Sequence, residues 1–128
     1  MSKNCPSVNF LGKLEDDELK AYYIAADIFC FSSITKNEAF GIALAEAMYF
    51  GLPSVTFKIE GSGVNYVSLN GETGLEVPNR NTTAFANAIK ELSSGDLKKS
   101  FGQKAYSRIV EKFLFSQFKS SLITVMAD

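Results

Sequence analysis

The sequence predicts an α/β domain built on a parallel sheet with helices on both faces. Short runs rich in β-branched and aromatic residues alternate with segments whose apolar residues recur at helical spacing. Strands that are separated by helices are joined by right-handed crossovers, which makes the sheet parallel. The chain has 128 residues, of which 46% are hydrophobic and 21% charged, as in one ordinary domain with a substantial core. We therefore expect a three-layer αβα, Rossmann-like fold with further helices at its C-terminal end.

The first half of the chain begins with two candidate strands and the helix between them. The segment Val8 to Leu11 is β-prone and is closed by Gly12, and residues 14–26 follow with acidic residues in the first turn and apolar residues at helical spacing. Residues 27–33 are almost continuously apolar, which is typical of a strand buried on both faces of a parallel sheet. Within this strand, Cys30 is interpreted as a small buried hydrophobe and not as part of a disulfide.

The rest of the chain continues the alternation and then becomes helical. A helix over residues 40–50 is closed by Gly51 at a helix-stop position. The next elements are a third strand, a short helix, a turn and a fourth strand, at residues 54–57, 61–69, 70–74 and 74–78. A single domain is expected over residues 1–128, with a helical tail over about 81–128. The apolar stripe of the last helix is expected to pack either outside this domain or on its own sheet or neighbouring helices; it comprises Phe113, Phe115, Phe118, Leu122 and Met126.

Composition and charge exclude several classes of function. The formal net charge is -1 and the lysines are scattered, so neither nucleic acid nor an anionic membrane surface is an expected partner. The chain has no histidine, so an imidazole base or a histidine metal ligand would have to come from elsewhere. No apolar run is long enough to cross a bilayer, and the polar start MSKNCPS has no signal-peptide core. A reducing, cytoplasmic setting is expected.

The stretch EAFGIALAE, residues 38–46, places two glutamates around seven uncharged residues. In open parallel sheets, ligands bind beyond the carboxyl ends of the strands. Glu38 lies in the loop after the second predicted strand and Glu46 lies nearly two turns further along, so both are expected to face one cleft. Glu38 could instead be a favourable acid near a helix start, worth roughly 0.3 to 1 kcal/mol. Glu46 resists that explanation because an unpaired carboxylate in an apolar setting costs several kcal/mol.

The chemistry of this stretch suits a nucleotide sugar. The first backbone N–H groups of a helix that starts near Phe40 and Gly41 are unpaired and carry the positive end of the helix dipole, which favours a phosphate or diphosphate. Glycine at position 41 allows close backbone approach. Ionised carboxylates accept hydrogen bonds at two oxygens, which suits the vicinal hydroxyls of a sugar or a ribose. A nucleotide sugar offers hydroxyls, then a diphosphate, then hydroxyls.

An ordered series of motifs resembles a known family. These motifs are VNFLGKLEDDELKAYYIAADIFCFSS, the E-x7-E stretch EAFGIALAEAM, FGLPSV, and NGETGLEVP followed by helices. The segment from Val8 to Phe113 is similar to the C-terminal, nucleotide-sugar-binding half of retaining glycosyltransferases with the two-domain GT-B fold, specifically family 4. The resemblance implies the C-terminal lobe of a GT-B fold, truncated at its N-terminal side.

The resemblance also implies residue roles. The residues assigned to the donor site are Gly12, Lys13, Glu38, Ala39, Phe40, Gly41, Ile42 and Glu46. Glu38 would hold hydroxyls of the transferred sugar and serve as the catalytic residue, while Glu46 would hold the ribose hydroxyls. The backbone from Ala39 to Gly41 would meet the phosphates and the sugar, and the loop with Gly12 and Lys13 would lie near the base.

The implied reaction is transfer of a hexosyl unit from a nucleotide-diphosphate sugar to a polysaccharide, lipopolysaccharide or glycolipid acceptor. Neither a cofactor nor a metal is expected, because protein cations and the helix dipole stabilise the leaving diphosphate. The family's N-terminal domain, and a strand and helix unit whose arginine and lysine grip the diphosphate, are expected to be missing. This chain alone is therefore expected to be inactive, and membrane association would depend on the missing domain. The segment IEGSGVNYV also departs from the Gly-Gly, proline and acid pattern of relatives.

The alternative hypothesis is a non-catalytic, flavodoxin-like signalling or scaffold module. A phosphate-accepting receiver needs an acidic residue at the carboxyl end of a strand, whereas Asp27 precedes its predicted strand and Ser32 and Ser33 end it. A dinucleotide site would require a G-x-G-x-x-G turn, and the run Gly61 to Gly63 lacks the third glycine. The residues therefore favour the glycosyltransferase hypothesis.

Overall fold

A computed structural model describes residues 8–34 and 42–112 of the chain. Its elements, in chain order, are α1 (Asp16–Ala25), β1 (Phe29–Phe31), α2 (Ile42–Tyr49), β2 (Ser54–Phe57), α3 (Val64–Val67), β3 (Gly74–Val77), α4 (Thr82–Leu92) and α5 (Gly95–Lys112). The predicted apolar stripe beyond residue 112 lies outside the described residues. Among the described helices, none is long and apolar enough to span a membrane.

The three described strands form a parallel sheet in the order β1, β2, β3. The central strand β2 is buried along its whole length, as expected for a strand that is paired on both edges and covered on both faces. Strand β2 matches the bounds predicted for the third strand, and β3 differs by one residue from those of the fourth. The predicted parallel α/β class is therefore confirmed.

Apolar cores on the two faces of the sheet make the fold three-layered. On one face, Phe29 and Phe31 of β1 pack against Leu44 and Met48 of α2, together with α3 and the second half of α5. On the other face, Val55 of β2 packs with α4 and with the first half of α5. Because α5 contributes to both cores, its position relative to the sheet is critical for stability.

Two features of the sequence define the ends of the early helices. Helix α1 follows a capping box in which the backbone N–H of Glu15 donates to the side chain of Glu18 at 3.2 Å. Helix α2 ends at Tyr49 and is followed closely by Gly51, which has φ of +78°. The N–H of Gly51 donates to the carbonyl of Met48 at 2.9 Å. The predicted helix stop at Gly51 is thus confirmed.

The first predicted strand is wrong. Residues Val8 to Leu11 form no strand, and Val8, Phe10 and Leu11 are all exposed. A β-prone segment becomes a strand only when a neighbour supplies backbone hydrogen bonds. Among the described residues this segment is not paired with β1, β2 or β3, although β1 lies at the edge of the sheet.

The prediction of a fully buried strand over residues 27–33 is also wrong. Strand β1 covers only Phe29–Phe31 and lies at the edge of the sheet. Cys30 is exposed instead of buried. Its register partner is Val55, so it points to the α4 face, where the core is formed by β2, β3, α4 and α5. The edge position explains why β1 is not fully buried and why Cys30 is exposed. Helix α4 covers β2 and β3 more extensively than it covers β1.

Candidate functional site

The loops at the carboxyl end of the sheet are joined by one asparagine. Asn79, two residues after β3, donates from Nδ2 to the carbonyl of Ile34 at 3.1 Å and to the carbonyl of Lys58 at 2.9 Å. These two carbonyls follow β1 and β2. Asn79 therefore connects the described residues that follow the three strands, at the edge where open parallel sheets bind ligands.

A second asparagine supports the loop after β2. Asn65 of α3 donates from Nδ2 to the carbonyl of Phe57 at 3.1 Å, and its Oδ1 accepts from the N–H of Ile59 at 2.8 Å. The predictions from sequence missed both asparagines. The available signal was weak, because an asparagine directly after a predicted strand is most often an ordinary turn residue.

Replacing Asn79 with alanine is expected to lower the free energy of unfolding by roughly 1 to 2 kcal/mol, because two backbone acceptors lose their donor. Asn79→Asp is expected to be worse, since a carboxylate cannot donate and would face two carbonyl oxygens. Urea denaturation of both variants tests this order, with Asn87→Asp on the exposed surface of α4 as the control. An Asn79→Asp protein as stable as the parent would contradict the role of this amide.

Glu46 lies in the second turn of α2 and is only 9% exposed. Its Oε1 accepts a hydrogen bond from the hydroxyl of Tyr23, on α1, at 3.2 Å. The same hydroxyl is 3.4 Å from the carbonyl of Ala43, in the first turn of α2. The charge that looked anomalous in an apolar sequence therefore has one buried partner, supplied by a different helix.

The electrostatics of this pair are set by burial. Loss of solvent raises the pKa of Glu46 above its ordinary value, while the hydrogen bond from Tyr23 lowers it and the negative charge of Asp16 raises it. Burial, followed by the charge of Glu46, raises the pKa of Tyr23 well above that of a free tyrosine. Tyr23 therefore stays protonated near neutral pH and acts as the donor in this pair.

The other predicted site residues are placed only in part. Glu38, Ala39, Phe40 and Gly41 lie outside the described residues, and Ile42 is the first residue of α2. These positions stay predictions.

The loop before α1 is described. Gly12 has φ of +68°, and both Gly12 and Lys13 are exposed. Asp16, which begins α1, acts electrostatically on Glu46. The loop with Gly12 and Lys13 therefore leads into the helix that faces the buried glutamate.

A cleft of about 550 Å³ lies at the opposite end of the sheet. It is lined by residues that precede β1 and β2, including Asp27 and Pro53, and by Lys98 and Tyr106 of α5. Because ligands of open parallel sheets bind beyond the carboxyl ends of the strands, this cleft is not the predicted donor site.

Comparison with known proteins identifies the family. The family model described as "Glycosyl transferases group 1" matches residues 3–108. The chain is 37% identical over 86 residues to D-rhamnosyltransferase WbpZ of Pseudomonas aeruginosa, an alignment that covers 67% of this chain and 22% of the relative.

Solved structures resemble the fold. Sucrose-phosphate synthase from Thermosynechococcus elongatus superposes with a TM-score of 0.78 at 27% identity, covering 94% of this chain and 29% of the synthase. The C-terminal domain of a glycosyl transferase group 1 family protein from Francisella tularensis has a TM-score of 0.68 at 21% identity, covering 83% of this chain and 52% of that domain structure. The chain thus spans less than a third of the rhamnosyltransferase and of the synthase. With a family model that matches most of its length and a fold shared with a C-terminal domain of the same group, this chain belongs to the glycosyl transferases group 1 family.

Proposed function

We propose that this chain is the donor-binding lobe of a retaining glycosyltransferase, and that it binds a nucleotide-diphosphate sugar at the carboxyl end of its sheet. The observation that carries the proposal is Glu46, a buried carboxylate whose position in α2 is fixed by Tyr23. Burying a carboxylate is costly, and a binding role for this group explains why it is retained at that position. The rhamnosyltransferase named above supports a hexosyl group as the transferred unit.

Within this proposal, the two glutamates have separate tasks. Glu46 accepts hydrogen bonds from the ribose hydroxyls, and one bond from Tyr23 leaves a carboxylate further acceptor positions. Glu38 holds the transferred sugar and is the catalytic residue. The backbone from Ala39 to Gly41, which precedes α2 in the sequence, and Ile42 are assigned to the diphosphate, since the dipole of a helix favours negative charge at its N-terminal end.

The proposal extends to parts that this chain does not supply. The chain spans 22% of the rhamnosyltransferase and 29% of the synthase, so acceptor binding and part of the catalytic machinery are assigned to a further domain of the whole protein. Support for the leaving diphosphate is expected from cations of the whole protein and from the helix dipole, without a metal. Family membership favours this function over a non-catalytic signalling or scaffold module.

The experiment that tests the proposal compares two glutamate variants of the whole protein. Glu46→Gln is expected to weaken binding of the free nucleoside diphosphate by roughly 1.5 to 3 kcal/mol, because a charged acceptor of the ribose is lost. Glu38→Gln is expected to reduce sugar transfer much more than it reduces nucleotide affinity. Titration calorimetry with UDP, GDP and ADP, followed by a transfer assay with the matching donor sugar, measures both effects.

The matched control is Glu91→Gln, an exposed glutamate in helix α4. It should leave affinity and transfer unchanged. If the parent protein binds none of the three nucleotides, or if Glu46→Gln binds as tightly as the parent, the donor-binding role is wrong.

A further inference from the structure

We propose that Tyr23 is a positioning residue of the donor site, which holds the carboxylate of Glu46 in the orientation that receives the ribose. This inference rests on the proposed function. It adds a residue from α1 to the donor site proposed around Glu46 of α2.

The hydroxyl of Tyr23 lies beside the first two turns of α2. It donates to Oε1 of Glu46 at 3.2 Å and lies 3.4 Å from the carbonyl of Ala43. Tyr23 is 7% exposed and Glu46 is 9% exposed, so water competes little for this hydrogen bond. A glutamate has three side-chain torsions, and a partner that fixes them before the nucleotide arrives reduces the ordering cost of binding.

The ring of Tyr23 is packed among apolar side chains. Its ring stacks on Phe50 with centroids 5.3 Å apart and an interplanar angle of 19°, and it meets Phe29 at 6.3 Å. Ala47 and Leu52 complete the same apolar cluster. The hydroxyl therefore has a fixed position relative to α2, and a phenylalanine at position 23 would preserve the packing while removing only the donor.

The hydrogen bond from Tyr23 also affects the pKa of Glu46. In the described part of the chain, the titratable groups that act on its carboxyl are Tyr23 and Asp16, both from α1. Helices α3 and α5 meet α2 mainly through apolar residues, with Tyr106 of α5 against Tyr49. Tyr23 thus opposes the increase in pKa that burial and Asp16 cause, and it favours the ionised, accepting form of Glu46.

Tyr23→Phe in the whole protein is expected to weaken binding of the nucleoside diphosphate roughly 10-fold, about the net value of one hydrogen bond. The loss of affinity on acidification should also begin at a higher pH than in the parent, because the pKa of Glu46 rises when its donor is removed. Titration calorimetry from neutral to acidic pH measures both effects. The number of binding sites per chain, read from the same titration, separates a loss of affinity from a loss of folded protein.

The matched control is Tyr22→Phe, the neighbouring tyrosine on α1, which is 50% exposed. It should change neither affinity nor the pH profile. In a Glu46→Gln background, Tyr23→Phe should cause no further loss, since its effect passes through that carboxylate. If Glu46→Gln weakens binding but Tyr23→Phe changes neither affinity nor the pH profile, the positioning role is overturned and the proposed function stands. If Glu46→Gln itself has no effect, the proposed function fails first.

Discussion

Gly102→Ala is expected to lower the free energy of unfolding by roughly 3 kcal/mol, although alanine is the better helix former. A Cβ atom at position 102 would lie 2.3 Å from the carbonyl oxygen of Gly51. This oxygen belongs to the backbone of a turn in which Gly51 has φ of +78°, so no side-chain rotation relieves the contact. Helix α5 would have to move away from the turn after α2, and it would displace Phe101 and Ala105 from the two cores.

Urea denaturation checks this expectation, with Gly95→Ala in the same helix as the matched control. A Cβ at Gly95 meets nothing within 4 Å, so that variant should be neutral or more stable by up to about 1 kcal/mol. The two substitutions are chemically identical, and the expected difference in stability comes from the contacts that a Cβ atom would make at each glycine. Equal stabilities for the two variants would show that the close contact between α5 and Gly51 is wrong.

The second large effect is expected at Gly74, at the start of β3. Gly74 is the register partner of Ser54 in β2, and a Cβ there would lie 2.1 Å from the Ser54 carbonyl oxygen and 2.7 Å from its Oγ. The hydroxyl of Ser54 lies 2.7 Å from that of Ser68, which lies 3.0 Å from that of Thr73. Gly74→Ala should separate the two strands at this buried chain of hydroxyls and cost roughly 3 kcal/mol of stability.

Hydrogen exchange and urea denaturation of Gly74→Ala test this prediction. Exchange of the β2 and β3 amides should accelerate, because the ladder between these strands opens more readily. The double variant with Ser54→Ala should recover little stability, since the nearest atom is the Ser54 carbonyl and not its side chain. Full recovery in the double variant would locate the conflict in the hydroxyl instead and contradict the proposed backbone contact.

The local patterns predicted most of the helices and two of the strands. Acidic residues mark the first turn of α1, where Asp16 lies, and a glycine marks the end of α2 at Gly51. These signals work because caps and stops satisfy backbone groups within a few residues of each other. The pattern of β-prone residues was less informative. It indicated strands at Val8 to Leu11 and over residues 27–33, whereas the first is not a strand and the second is a short edge strand.

The sequence also predicted one part of the candidate site and missed another. The single charge of Glu46 in an apolar segment indicated a binding role for this residue. That inference needs only the residue types of its neighbours in the sequence. Its partner Tyr23 is 23 residues away on another helix. Neither the hydrogen bond nor its effect on the pKa of Glu46 could be predicted from spacing, because both depend on how α1 packs against α2.

The sequence by itself determined the alternation of helices and strands, the ends of the helices, and the chemical inventory of the proposed donor site. Tertiary structure alone decided that Cys30 is exposed on an edge strand, that Asn79 bonds to the carbonyls of Ile34 and Lys58, and that Gly102 meets Gly51. The physical reason is the distance along the chain over which each interaction acts. Helix caps and apolar periodicity act between residues a few positions apart, whereas strand pairing, helix contacts and buried hydrogen bonds depend on which distant segments meet when the chain packs.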